Sequence, residues 1–297
     1  MSGVDAVRVE DRAVAGPHGE VPVRVYLPDE PTGVGLVWLH GGAFCMGDLD
    51  VPEADWVSRE LAAAGITTVS VDYRLAVDGV HFPVPGDDVR AAWTAAAEGA
   101  LGLDVREWHI GGGSAGGNLA AAAALQARDG HAPVPRSAVL VYPVLHQLLP
   151  PASAELRAKV DALPAEHRFP PEESRRLNLN YVGDEDLLTH PYAFPANGRH
   201  EGLGPTLIIN SDLDDLRSSG EAYGAALAAA GVDVTVVREV GVRHGHLNAV
   251  DDPGALRTIR RMIAWLRLGD VLGEAHEPRR GVTDRPAATD RMESVPA

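Results

Sequence analysis

The sequence predicts an α/β fold in which helices flank a mostly parallel central sheet and one helical cap insertion interrupts the pattern. Short apolar, β-branched runs alternate with stretches of helical spacing through most of the chain, as expected of parallel strands joined by crossover helices. The alternation stops once, from Leu145 to about Gly204, and then resumes. A length of 297 residues is within the range that single α/β domains reach, so residues 1–270 are expected to form one domain with the insertion at about 145–204.

Val7 to Val14 and Val21 to Leu27 read as strands, followed by the apolar run Gly35 to Leu39. Pro52 to Ala64 has helical spacing, with Trp56, Val57 and Leu61 on one side, and Gly65 ends it before the strand-like Ile66 to Asp72. Asp87 to Ala97 reads as helix, Trp108 to Gly111 as strand, Ala115 to Arg128 as helix and Ala138 to Tyr142 as buried strand. Within the insertion, Ala154 to Leu163 and Glu172 to Tyr181 have helical character, and a structureless loop of that length is improbable in a compact domain. Thr206 to Asn210, Gly220 to Ala230, Val232 to Arg238 and Pro253 to Arg267 continue as strand, helix, strand and helix. From Gly269 the chain turns polar and carries Pro278, Pro286 and Pro296, so 271–297 is expected to be a disordered tail.

Hydrophobic residues at 45% and charged residues at 23% indicate a globular chain. Acidic side chains outnumber Lys plus Arg by 42 to 26, and the resulting net charge of -16 repels phosphate backbones and anionic bilayers. Neither nucleic acid nor a membrane is therefore an expected partner; a small molecule is. The lone Cys45 allows no intrachain disulfide, no apolar stretch is long enough to cross a bilayer, and no basic-then-apolar leader is seen, so a cytoplasmic location is expected. A homodimer is the prior for such a protein.

The most informative stretch is Ile110-Gly111-Gly112-Gly113-Ser114-Ala115-Gly116-Gly117-Asn118, an apolar strand end passing through Gly-x-Ser-x-Gly into an Ala-rich helix. A nucleophile elbow has this form: the turn is so tight that the positions two before and two after the serine must lack bulk, and it leaves the hydroxyl at a helix N-terminus. A phosphate loop is the competing reading, but no Gly-Lys-Ser/Thr follows. Acyl transfer also needs donors for an oxyanion, and His40-Gly41-Gly42-Ala43-Phe44 at an earlier strand end can offer backbone N–H groups. The oxyanion hole is expected from Gly41, Gly42, Ala43 and Ala115, with Gly41 serving mainly for close approach. His40 precedes the serine, the wrong chain order for a base in this fold, and is expected to brace the loop. For the acid and base, Asp212, Asp214 and Asp215 follow one late strand, and His244 and His246 follow another.

Taken together these motifs resemble the hormone-sensitive-lipase-like carboxylesterases and acetyl esterases of the α/β-hydrolase fold, over roughly Val21 to Leu266. The resemblance also covers Asp72-Tyr73-Arg74-Leu75-Ala76 and Phe82-Pro83 before Asp87-Asp88. It places the family's acid motif on Asp214-Asp215-Leu216-Arg217-Ser218 and its His-Gly-Phe motif on His244-Gly245-His246, which implies a triad of Ser114, Asp214 and His244. Gly113 stands where the family often has Asp, Asp215 replaces a proline, Ser218 replaces a second acid and His246 replaces an aromatic residue. The oxyanion loop begins early, at His40, which implies a shortened N-terminal half of the cap and an open entrance.

The implied activity is serine carboxylesterase action on short-chain acyl esters through an acyl-enzyme. The alternatives are amidase, deacetylase or lactonase chemistry on the same triad, or a non-catalytic ligand-binding protein on the same scaffold. A metal site could be drawn from His244, His246, Asp212, Asp214 and Asp215, but it leaves the serine elbow without a role, so neither metal nor cofactor is expected. Asp72-Tyr73-Arg74 reads as a structural polar cluster, Cys45 as a packing residue and the five tryptophans as core. Ala43→Pro is expected to cut turnover sharply, because the loop must present its backbone; near-normal steady-state turnover in that variant would remove the loop from the catalyst.

Overall fold

A computed structural model describes residues 7–267, and the tail expected at 271–297 lies outside them. Eight strands form one sheet: β1 (Arg8–Gly16), β2 (Gly19–Leu27), β3 (Val34–Leu39), β4 (Thr67–Val71), β5 (Glu107–Gly113), β6 (Ala138–Val141), β7 (Thr206–Leu213) and β8 (Val234–Arg243), in the order β1-β2-β4-β3-β5-β6-β7-β8. β1 and β2 make an antiparallel hairpin, and β2 pairs antiparallel with β4. Every later pairing is parallel. The order reverses at β3: the chain leaves it for β4 on one side, then crosses back to β5 on the other. In open α/β sheets that reversal opens a crevice beyond the C-terminal strand ends, and His40 and Ser114 both follow the strands that flank it.

Helices α1 (Asp55–Ala63), α2 (Val84–Ala97), α3 (Ala115–Arg128), α6 (Arg217–Ala229) and α7 (Pro253–Leu266) cover the sheet. Because side chains alternate along a strand, Val37 and Leu39 of β3 join a core with α2, α3 and α6, while Leu36 and Trp38 join one with α1 and α7. All six residues of β3 are buried, which explains why it reads in sequence as a continuous apolar run. In α3 the Ala-rich face lets the helix lie close on the sheet, with nearly every residue buried. α2 begins at Val84, earlier than the Asp87 expected, because Pro85 sits in its first turn, where a missing N–H is harmless.

The departures that bear on the site are at β7 and β8, which run on to Leu213 and Arg243 instead of ending at Asn210 and Arg238. After a register shift between Ser211 and Leu213, Leu213 pairs with Arg243, so the residues that follow each strand emerge side by side.

Between β6 and β7 the chain forms α4 (Ala154–Val160), α5 (Pro171–Val182) and short 3-10 turns. Ion pairs hold this segment to the end of the sheet. Arg217 is 5% exposed; it meets Glu155 at 2.9 Å and Asp212 at 3.3 Å, and Lys159 meets Asp212 at 2.7 Å.

Gly116 shows how close the central packing is, since a Cβ there would fall on the carbonyl of Leu39 and lie 2.5 Å from that of His40. Gly116→Ala is expected to cost about 1–3 kcal/mol, as overpacking against a backbone that cannot yield does. A thermal melt should show a drop of several degrees, and an unchanged Tm would contradict the close approach.

Candidate active site

Ser114 sits between β5 and α3 at φ 52° and ψ -115°, a strained conformation for a residue with a side chain. Its neighbours make that turn possible. A Cβ on Gly112 would run into the backbone of Gly116 and lie 2.7 Å from Leu39 O, so both flanking glycines are required by contact with β3. The strain is held by backbone bonds, Ser114 N–H to Val141 O at 2.9 Å and Asn118 N–H to Ser114 O at 3.2 Å. The Asn118 amide donates to Val144 O at 2.8 Å, tying α3 to the chain beyond β6.

Ser114 Oγ lies 2.9 Å from His244 Nε2, and His244 Nδ1 lies 2.7 Å from Asp214 Oδ2. Asp214 is 1% exposed, and its other oxygen accepts from Leu216 N–H at 2.9 Å, which fixes the carboxylate. The three residues named from sequence are therefore brought together as one hydrogen-bonded chain. The competing residues go elsewhere. Asp212 is taken up by Lys159, Arg217 and the N–H of Gly241. Asp215 accepts from Arg168 Nε at 2.9 Å and Nη2 at 3.0 Å and from Phe169 N–H at 2.8 Å. His246 is buried between Ser211 at 3.0 Å and Thr258 at 2.8 Å, and burial lowers its pKa to about 4, so it stays neutral. Among the described residues no three His, Cys, Asp or Glu side chains gather as a metal would require.

The loop after β3 turns through positive φ at Gly42 (118°), Ala43 (50°) and Phe44 (63°) and passes beside the elbow, with a Cβ on Gly41 only 3.0 Å from Ser114 Cβ. One expectation needs correcting. The N–H of Gly41 is already given to the Glu53 carboxylate, so Gly41 supplies close approach and no oxyanion donor. Among the described residues the N–H groups of Gly42, Ala43 and Ala115 have no such partner. His40 braces the loop through Nδ1 to Gly41 O at 2.6 Å and by stacking on Tyr73, whose hydroxyl donates to His40 O at 2.7 Å. Arg74 pairs with the buried Asp88, so Tyr73 and Arg74 make the structural contacts expected of Asp72-Tyr73-Arg74, while Asp72 makes no side-chain hydrogen bond or ion pair among the described residues.

Residues 36–248 match the family described as having the α/β hydrolase fold. The chain belongs to that family, in its hormone-sensitive-lipase-like branch. It is 35% identical to the esterase LipI of Mycobacterium tuberculosis over 277 residues, covering 88% of this chain and 82% of the relative. It is 33% identical to the carboxylesterase NlhH of the same organism over 284 residues, with the same coverage of 88% and 82%. Among solved structures, the Pyrobaculum calidifontis esterase superposes with a TM-score of 0.77 at 32% identity, covering 89% of this chain and 86% of that one.

Several residues of this α/β-hydrolase's site carry no sequence signal. Phe169, from the segment between β6 and β7, packs edge-on to His244 with ring centroids 4.8 Å apart, and Tyr142 does so from the end of β6 at 5.0 Å. Tyr181 of α5 stacks on Phe44 at 3.8 Å. Glu53 falls in sequence within the helical stretch expected from Pro52, but the helix starts only at Asp55, and Glu53 is 3% exposed beneath the loop of Gly41 to Ala43. For His244, burial favours the neutral ring, but the charge and hydrogen bond of Asp214, with further pull from Glu53 and Asp215, outweigh it and leave the pKa raised. His244 is the expected base, and a base must be neutral to accept a proton, so the expectation is that activity falls as pH drops through that raised pKa. The acid limb of kcat/KM is expected above pH 6.5, the ordinary histidine value, and Asp214→Asn should move it down. A pH–rate profile with its limb below that value would contradict the coupling.

Proposed function

We propose that this chain is a serine carboxylesterase in which Ser114 is the nucleophile, His244 the general base and Asp214 the group that orients and stabilises the imidazole. The observation that carries the reading is the continuous chain from Ser114 Oγ through His244 to Asp214, with links of 2.9 and 2.7 Å, set beside free backbone donors at a strand-order reversal. His244 Nε2 accepts the hydroxyl proton as Oγ attacks the ester carbonyl, and Asp214 stabilises the imidazolium that forms. The N–H groups of Gly42, Ala43 and Ala115 take the oxyanion, each contributing on the order of 3 kcal/mol of transition-state stabilisation. Collapse breaks the ester C–O bond, the alcohol leaves with the proton from His244, and water then hydrolyses the acyl-enzyme by the same relay.

Residues 145–204 act as the cap in this reading, supported by Phe169 against His244 and Tyr181 against Phe44. Glu155, Arg157, Glu172 and Arg176 are exposed on α4 and α5, so these helices lack the apolar outer face that would seat a lipase on a lipid surface. That supports water-soluble, short-chain esters as substrates.

The test is p-nitrophenol release from acetate, butyrate, octanoate and palmitate esters by the folded protein and its Ser114→Ala variant, with p-nitroacetanilide in parallel. Turnover highest on the two short esters and about 10⁴-fold or more lower in the variant is the expected outcome. Serine-dependent cleavage of the anilide alone would assign an amidase, and no serine-dependent turnover at all would assign a binding scaffold.

A further inference from the structure

We propose that Glu53 is a positioning residue for this hydrolysis, its buried carboxylate holding the oxyanion loop and the wall behind His244 in one arrangement from the space beside Gly113. The inference rests on the esterase reading above. Glu53 arrives from the stretch ahead of α1, is 3% exposed, and pairs with no Lys or Arg among the described residues. A carboxylate buried without a cation is costly unless its lone pairs are met by hydrogen bonds, and removing it leaves its donors unpaired.

Both oxygens are met, each by a different part of the site. Oε2 accepts from the N–H of Gly41, which precedes the proposed donors Gly42 and Ala43, and Oε1 accepts from the hydroxyl of Tyr142. The Tyr142 ring packs against His244 and His246, with centroids 5.0 Å from each. One carboxylate thus joins the loop that would hold the oxyanion to the ring that backs the base. Its main chain is pinned as well: Trp38 Nε1 donates to Glu53 O at 2.7 Å, and Glu53 N–H donates to Asn248 Oδ1 at 3.2 Å, just beyond His244.

A Cβ on Gly113 would fall on Glu53 Oε1 and lie 2.7 Å from its Cδ, so any side chain at 113 must displace the Glu53 carboxylate from its present place. The overlap lies within the span between an aspartate's own Cβ and its carboxylate oxygens. An Asp at 113 could therefore place an oxygen where Oε1 now sits, once Glu53 is gone.

The experiment measures kcat, KM and pH profiles on p-nitrophenyl butyrate for wild type, Ser114→Ala, Glu53→Gln, Glu53→Ala, Gly113→Asp and the Glu53→Ala/Gly113→Asp double variant, with thermal melts of each. Glu53→Gln and Glu53→Ala are expected to lose kcat by about 10- to 100-fold with KM nearly unchanged, as slight misplacement of catalytic donors does. Gly113→Asp alone should also lose activity, whereas the double variant should recover kcat by about tenfold over Glu53→Ala. The groups facing His244 are Asp214 and Asp215 after β7, with Arg168 paired to Asp215, Tyr142 after β6, His246 beyond it, and Glu53. Removing only the Glu53 charge should shift the acid limb of kcat/KM to lower pH in Glu53→Gln. Folded Glu53 variants with wild-type kcat, beside an inactive Ser114→Ala, would overturn the proposal and leave the esterase reading intact. Failure of Glu53→Gln to fold would overturn it too, by making Glu53 a determinant of the fold. Absence of Ser114-dependent turnover in the wild type removes both.

Discussion

The contact between the C-terminal end of β3 and the turn that follows β5 sets what the rest of the site can be. At that contact Gly112 and Gly116 lie against Leu39 and against each other, with no room for a Cβ at either position. The approach lets α3 start immediately after Ser114, which raises the serine out of the sheet at a positive φ. It also sets the loop of Gly41 to Ala43 beside the serine, so the proposed nucleophile and the proposed backbone donors come from neighbouring strands. The strain at Ser114 is sustained because packing on both faces of a fully buried β3 over-determines the turn.

The pairing of His244 with Asp214 depends on a second, independent alignment. β7 and β8 extend far enough that Leu213 and Arg243 pair, and the next residue of each strand is Asp214 or His244. Side by side in a buried site, they interact more strongly than they would in water. The neighbouring acids are kept out of the relay by partners of their own: Asp212 by Lys159 and Arg217, Asp215 by Arg168. Those pairs also fasten α4 and the Arg168-Phe169 stretch over the sheet end, so the charges that clear the site of competitors are the ones that bring Phe169 against His244. In a chain with a net charge of -16, local pairing and not overall charge decides which carboxylate hydrogen-bonds the histidine.

Much of this was legible in advance because it obeys local rules. The apolar runs of β3 and β6, the Ala-rich α3 and the Gly-x-Ser-x-Gly turn each carry a period or a steric signature that needs no partner to be read. The elbow is legible for that reason, and the segment between β6 and β7 stands out by its loss of alternation. Glu53, Tyr142 and Phe169 were not legible, since nothing in the residues beside them distinguishes a buried positioning group from an ordinary loop or strand-end residue. Gly41 is grouped by sequence with the oxyanion loop and assigned mainly to close approach, and only the carboxylate beneath it shows where its N–H is engaged.

By itself, then, the sequence determined the α/β class, the elbow at Ser114 and the loop at His40 to Phe44, because tight turns and strand ends are constrained by atoms a few residues away. It also limited the acid and base to two short stretches, and family resemblance selected Asp214 and His244 from them. Only the tertiary structure decided that Asp214 meets His244 while Asp212 and Asp215 turn to cations, that Phe169 closes on the imidazole, and that Glu53 lies under the oxyanion loop. Those outcomes depend on strand lengths, a register shift and ion pairs such as Lys159 with Asp212 and Arg168 with Asp215, between residues tens of positions apart. Contacts of that kind are set when separate elements pack together, and no local period in the chain encodes them.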